Sequence, residues 1–165
     1  MKNRVYLAGP DVFYPDAGVR GDALKLLCRR YGFEGLFPLD NEIEPRELSV
    51  MAREIREANL ELIRSCDAVI ANLEPFRGLE PDSGTVFEVG YATALGKRVV
   101  GYAPDLRTLH ERVCEGQGLD PDAAYDQDGL LIERFGWSHN LMFSEQVIAR
   151  TAEEALEQLK KAISG

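Results

Sequence analysis

The sequence predicts a doubly wound α/β domain built on a mostly parallel, five-stranded sheet. Two observations carry that prediction. The runs RVYLA at 4–8, DAVIANL at 67–73 and RVVGYA at 98–103 are almost continuously apolar, the pattern of strands covered on both faces. Stretches of helical period lie between them, and strand–helix–strand order with parallel pairing demands right-handed crossovers.

The elements follow in order. The first strand, 4–8, closes at Gly9-Pro10, a turn signal. From about 17 to 31, Ala23, Leu24, Leu27, Cys28 and Tyr31 recur at helical spacing, and Gly32 stops the helix. FEGLF at 33–37 is a second short strand ended by Pro38. Pro45 opens a long helix over 46–65, where Leu48, Met51, Ala52, Ile55, Asn59, Leu62 and Ile63 recur at steps of three and four. The third strand, 67–73, runs into the loop EPFRGLEPDS, and a helix over 84–96 leads to the fourth strand at 98–103. Residues 104–137 are rich in Asp and Gly and read as an irregular segment, a long loop or a lid. A short helix at 139–145, an edge strand at 146–149 and a final helix striped by Ala155, Leu156, Leu159 and Ile163 complete the chain; Thr151 and Glu154 form its capping box.

Composition narrows the function. The 165 residues, 45% apolar and 28% charged, fit one domain over 1–165 with a proper core. The net charge of −9, with no run of Lys/Arg beyond two, argues against nucleic acid or another polyanion as partner. Cys28, Cys66 and Cys114 are odd in number and widely spaced, which fits free thiols in a reducing cytoplasm better than disulfides or a zinc site. No 18 apolar residues run together, so no membrane span is expected. His110 and His139 lack metal-ligand spacing, and no dinucleotide, P-loop or nucleophile-elbow pattern occurs. No cofactor is implied.

Ligands of open α/β sheets sit beyond the carboxyl ends of the strands. Gly9, Pro10, Asp11 and Phe13 follow the first strand; Asp67 opens the third, and Asn72 lies near its end. DSGTVFEVGYATALGK, residues 82–97, places Glu88 in the first turns of a helix and Asp82 six residues earlier. A carboxylate there, with a second one nearby, suits displacement at an anomeric carbon. Glu88 as a helix-dipole partner on a solvated face and Asp82 as a plain helix cap are the competing readings.

These residues resemble the nucleoside 2-deoxyribosyltransferases. The likeness runs through VYLAGPDVF at 5–13, FPLDNE at 37–42, CDAVIANLEP at 66–75, DSGTVFEVGYATALGKRVVGY at 82–102 and HNLM at 139–142. It implies a flavodoxin-like sheet of order 2-1-3-4-5 and a homo-oligomer, a dimer or a hexamer built from dimers. By the same resemblance Glu88 is the nucleophile in a D-x-G-x-x-x-E pattern. Asp82 is linked to proton transfer at the nucleobase, and Asp67 is a second acid on the base side. The Tyr6 hydroxyl orients the nucleophile, and Phe13 lines the base pocket. Asn140 and Met142 form an Asn-x-Met element lent to a neighbouring subunit, the asparagine meeting the sugar 5′-hydroxyl. Substrates would be a 2′-deoxynucleoside and a free base. The related deoxynucleoside 5′-monophosphate N-glycosidases carry a Gly/Arg-rich loop after the first strand. Here Asp11 and Asp16 stand in that loop, a placement expected to repel a phosphate. A non-catalytic nucleoside-binding protein is the other alternative.

Overall fold

The computed structural model describes residues 3–41, 44 and 46–164. Pro45 and Glu42, named above as a helix start and as part of a motif, lie outside the described residues. Five strands form one parallel sheet: β1 (Arg4–Ala8), β2 (Glu34–Leu36), β3 (Ala68–Asn72), β4 (Arg98–Tyr102) and β5 (Val147–Ala149). Their order is β2-β1-β3-β4-β5, as expected. The helices are α1 (Ala17–Arg30), α2 (Leu48–Ser65), α3 (Ser83–Ala94), α4 (Leu109–Gln117) and α5 (Ala152–Ser164).

Strand periodicity sorts the core into two layers. Val5, Leu7, Ala68 and Ile70 face Cys28 of α1 and Ala155, Leu156 and Leu159 of α5. Tyr6, Ala8, Val69 and Ala71 face Ile63 of α2 and Val89 and Ala92 of α3. Strands so covered need apolar residues at consecutive positions, which is why β1 and β3 read as unbroken apolar runs. Each fully buried aliphatic side chain contributes about 1.5–3 kcal/mol.

β1 and β3 are neighbours, and the chain leaves them in opposite directions, α1 to one face and α3 to the other. Their carboxyl ends therefore splay around a crevice. Gly9 is required there by close approach: a Cβ on it would stand 2.8 Å from Asn72 Cβ and 2.9 Å from Asp11 Oδ2.

The 104–137 segment differs from the irregular loop expected. It contains α4, with a capping box in which Glu111 N donates to Thr108 Oγ1 and Thr108 N donates to Glu111 Oε2. Gly118 ends α4 in the left-handed region, φ 64°, where a side chain would be strained. The expected short helix at 139–145 is a single 3-10 turn, Leu141–Phe143. The final cap is also modified: Glu154 N donates to Thr151 Oγ1, but the Glu154 carboxylate reaches back to Arg150 N.

His139 ties the segment before β5 to the sheet. It is 1% exposed, its Nε2 donates to Leu73 O at 2.9 Å, and its Nδ1 meets the Ser138 hydroxyl at 3.0 Å. Burial lowers its pKa from the ordinary 6.5, so the fold holds the neutral ring. Stability from this group is present above the unfolded pKa and is lost as pH falls below about 6.5, because the unfolded chain takes up the proton more readily. The stability advantage of wild type over His139→Asn, measured by denaturant unfolding, is expected to shrink between pH 7 and pH 5. An advantage independent of pH would show that the ring takes up its proton equally readily in the folded and unfolded states.

Candidate active site

The site is built around one hydrogen bond. Tyr6 lies in the middle of β1, and its hydroxyl donates to Glu88 Oε1 at 2.7 Å. Glu88 stands in the second turn of α3, whose start is fixed by Asp82 as N-cap: Thr85 N and Thr85 Oγ1 both donate to Asp82 Oδ2, at 2.9 and 3.1 Å. Among the described residues Asp82 Oδ1 has no hydrogen-bond partner. The capping reading of Asp82 is therefore correct as far as it goes, and it leaves one carboxylate oxygen available.

Burial is the main reason the Glu88 carboxyl is pushed up to about 7. The Tyr6 hydrogen bond opposes that shift, and the negative charge of Asp82 adds to it. The Tyr6 phenol is pushed up strongly by burial and by Glu88, so it remains a donor at every physiological pH. Glu88 is not the solvated helix-dipole partner that its sequence position allows.

Glu88 opens onto a cavity of about 300 Å³ shared with Ile55, Arg56, Asn59, Gly84 and Phe87. A second cavity of about 240 Å³, bordered by Val12, Pro38, Leu39 and Asn41, has Ile55 and Asn59 in common with the first. The two are lobes of one cleft, with Ile55 and Asn59 at the junction. Asn59 was not singled out from the sequence as a site residue. Among the described residues its buried Oδ1 has no hydrogen-bond partner, a state that costs about 1–3 kcal/mol. The signal was available: an amide recurring within the apolar stripe of a helix.

Phe13 is 55% exposed and stacks on Phe76, ring centroids 5.3 Å apart. The Arg77 guanidinium lies over both rings, 5.2 and 4.7 Å from their centroids. Arg77 has φ 55°, an uncommon conformation for a residue with a side chain.

Three expected site residues are placed elsewhere. Asp67 precedes β3, at the end opposite Asn72, and its Oδ2 accepts from Arg4 N at 2.7 Å. It binds the sheet's amino end together and does not reach the base side. Asp11 is 6% exposed, with Asn72 Nδ2 donating to Oδ2 at 3.1 Å and Arg20 to Oδ1 at 3.1 Å. Arg20 also pairs with Asp16. Arg20 thus offsets part of the charge that was expected to repel a phosphate, and Asp11 serves the junction of β1 and β3. Gly9 has the packing role described above.

Asn140 and Met142 are not brought to Glu88 within this chain. Asn140 Nδ2 donates to Glu133 Oε1 at 2.7 Å, Leu141 N donates to Glu133 Oε2 at 2.9 Å, and Met142 N donates to Asn140 Oδ1 at 3.0 Å. Asn140 borders a different cavity, beside Glu80 and Glu133, with no lining residue in common with that of Glu88. Met142 is 78% exposed.

Among the described residues, no group of three or more His, Cys, Asp or Glu side chains is placed to hold a metal ion. No helix among them is long and apolar enough to cross a membrane. What the arrangement offers is a buried carboxylate oriented by a phenol, a second carboxylate nearby, and a largely apolar cleft.

The family model for nucleoside 2-deoxyribosyltransferase matches residues 5–142. An uncharacterized protein of Schizosaccharomyces pombe is 34% identical, with 84% of this chain and 74% of that protein covered. A solved 2-desoxiribosyltransferase from Leishmania mexicana is 36% identical over 96% of this chain and 97% of its own, with a TM-score of 0.79. A 2-deoxyribosyltransferase of Bacillus psychrosaccharolyticus, 18% identical with a TM-score of 0.60 over 93% of this chain and 90% of its own, shares the fold. The sheet order and a match over most of the chain converge: this protein belongs to the nucleoside 2-deoxyribosyltransferase family.

Proposed function

We propose that this protein transfers a 2-deoxyribosyl group between nucleobases through a covalent deoxyribosyl–Glu88 intermediate. The observation that carries the reading is the buried Glu88 carboxylate held at 2.7 Å by the Tyr6 hydroxyl at the wall of a cleft. In the reaction, a Glu88 oxygen attacks C1′ of a 2′-deoxynucleoside on the face opposite the base. The glycosidic C–N bond breaks, its electron pair leaves with the base nitrogen, and the base gains a proton. The incoming base then displaces Glu88 from C1′ and loses a proton, so two inversions restore the original configuration. The transition states carry oxocarbenium charge, which an adjacent anion stabilises without a metal.

Tyr6 fixes which Glu88 oxygen is free. The bonded oxygen is Oε1, so Oε2 is the attacking atom. Asp82 is the proton donor and acceptor for the base, acting through Oδ1 while Oδ2 holds the helix start. The apolar cleft beyond Glu88 accepts the base; Phe13, the residue after Val12 of its lining, stacked on Phe76, is assigned to the base through the family resemblance.

The active unit in this reading is a homo-oligomer in which Asn140 and Met142 complete the site of a neighbouring copy. Two features support it. Asn140 is not among the residues that line the Glu88 cavity of its own chain. The segment around it exposes Leu130, Leu131, Phe135, Trp137 and Met142, more apolar side chains than a free surface usually shows in one stretch.

Loss of the nucleophile is expected to lower base exchange by several powers of ten in Glu88→Ala, about 4–8 kcal/mol of transition-state stabilisation. Mass spectrometry of wild type with a 2′-deoxynucleoside alone should show a deoxyribosyl adduct on the peptide containing Glu88. Retention of more than about a tenth of exchange, roughly 1.4 kcal/mol, removes Glu88 from that role.

The pH dependence has opposite signs for rate and stability. The nucleophile must be ionised, so exchange should rise with pH through about 7. A carboxyl whose folded pKa exceeds its ordinary 4.5 contributes stability that is present below 4.5 and lost as pH rises through 7. Glu88→Gln is therefore expected to gain stability over wild type between pH 5 and pH 8, on the order of 3 kcal/mol at most. Denaturant unfolding at both pH values checks this; an equal difference at the two would mean that Glu88 is not buried as an anion.

Mixing tests the shared site. Glu88→Ala and Asn140→Ala subunits, each nearly inactive alone, should regain activity after unfolding and refolding together. Random reassortment into dimers makes about one site in four complete. Absence of any recovery would place Asn140 in the site of its own chain.

A further inference from the structure

We propose that Glu133 is a positioning residue for the transfer reaction: its carboxylate sets the Asn140 amide so that one donor and one acceptor of that amide stay free for substrate. This rests on the reading of Asn140 as an element that completes a neighbouring copy's site, and it names the residue on which the action of that amide depends.

Three observations lead there. Glu133 accepts two hydrogen bonds, and both come from one turn: Asn140 Nδ2 donates to Oε1 at 2.7 Å and Leu141 N to Oε2 at 2.9 Å. Bonds to an ionised acceptor are of this short, strong kind. The second observation is the turn itself. Leu141–Phe143 is a single 3-10 turn, which gains little order from its own backbone. Met142 N donates to Asn140 Oδ1 and Phe143 N to Asn140 O, so Leu141 N is the donor that the turn leaves over, and Glu133 takes it. The third is the amide. Its nitrogen is held by Glu133 and its oxygen by Met142 N, so the two ends cannot exchange places. One N–H of Nδ2 and one lone pair of Oδ1 are then left for another molecule.

Charge alone argues against an acid at this position. Glu80 and Asp126 border the same cavity as Glu133, and among the described residues no Lys or Arg forms an ion pair with it. Loss of water pushes the Glu80 carboxyl up, Arg112 opposes that, and the charge of Glu133 adds to it. What an acid offers in return is two accepting oxygens. A glutamine has one, and its NH2 group would oppose either the Leu141 N–H or the Asn140 amide hydrogen. The two N–H groups that converge on Glu133 therefore account for a carboxylate kept among carboxylates. An amide preset in this way meets substrate without first losing rotamer freedom. Released from Glu133, the Asn140 side chain would keep only the Met142 N contact, and its free donor and acceptor would no longer have fixed directions.

The test combines exchange, binding and mixing. Glu133→Ala and the isosteric Glu133→Gln are compared with Asn140→Ala and with the corresponding double variants. In base exchange Glu133→Ala should lose about tenfold or more in kcat/KM, and Glu133→Gln part of that. On the Asn140→Ala background either substitution should change kcat/KM by less than about twofold, because Glu133 acts through the amide. Calorimetric titration with 2′-deoxyadenosine or thymidine, whichever wild type binds more tightly, should show the same non-additivity in a Glu88→Gln background. Refolded together with Glu88→Ala subunits, Glu133→Ala should recover activity at about one site in four. Refolded with Asn140→Ala subunits it should recover none, since neither chain then lends a working element. A purely structural role would lower the unfolding temperature and give losses that multiply with that of Asn140→Ala. Multiplying losses, or wild-type activity in Glu133→Ala, overturns the proposal. Failure of Glu88→Ala and Asn140→Ala to complement each other removes the shared-site reading, while non-additive losses still assign Glu133 to Asn140 within one chain. Non-additive binding without any exchange leaves this inference standing and removes the transfer reading.

Discussion

The hydrogen bond between Tyr6 and Glu88 joins the centre of the sheet to the helix that follows β3, and the site depends on it. A carboxylate in that position is costly because it is taken out of water, which is why its proton affinity rises to about 7. The phenol returns part of the cost and fixes the orientation. The carboxylate is thus held poorly solvated and in one orientation, without a competing positive charge from its partner. The rest of α3 follows from the same need. Asp82 pins the helix start so that Glu88, in its second turn, faces Tyr6 across the layer. Gly84, in the first turn, leaves room beside the Asp82 carboxylate, where a Cβ would stand 3.0 Å from Oδ2.

The crevice between β1 and β3 needs its own support. The chain exits these strands to opposite faces, so backbone near their carboxyl ends loses neighbours on one side. Asp11, Asn72 and Arg20 fill that space with a connected polar group, and Gly9 lets the strand ends approach. Acidic residues after the first strand thus hold the frame of the cleft rather than its ligand. At the other end of the sheet Asp67 does similar work through Arg4 N.

Long elements with strong period were legible: β1, β3, β4, α1, α2, α3 and α5 lie within a few residues of their expected bounds, because core periodicity and strand burial speak directly in residue type. α4 was not, since its nine residues sit in an Asp- and Gly-rich stretch and only Thr108 with Glu111 marked its start. The Tyr6–Glu88 contact was legible through resemblance, not through spacing: 82 residues separate the pair. Asp67 was misplaced because an acid next to a strand says nothing about which end of the sheet it occupies until the strand's direction and limits are known. Asn59 was read as part of a packing stripe, and only the missing hydrogen-bond partner distinguishes it.

The segment 104–137 acquires a purpose from its tethers. Arg112 is 4% exposed, and its guanidinium donates to Leu79 O and to Ser138 O. Leu109 N donates to Trp137 O at 2.8 Å, and His139 is anchored on Leu73 O. Glu133, from the same segment, fixes both the side chain of Asn140 and the backbone of Leu141. α4 and the turn after it therefore act as a brace that holds residues 137–142 in one conformation before any partner arrives. Ordering a loop at an interface costs free energy for each side chain immobilised, and a loop already ordered avoids that cost. On the reading proposed above, in which Asn140 completes a neighbour's site, this bracing lowers the entropic penalty of assembly. The same segment exposes the apolar side chains of Leu130, Leu131, Phe135 and Trp137.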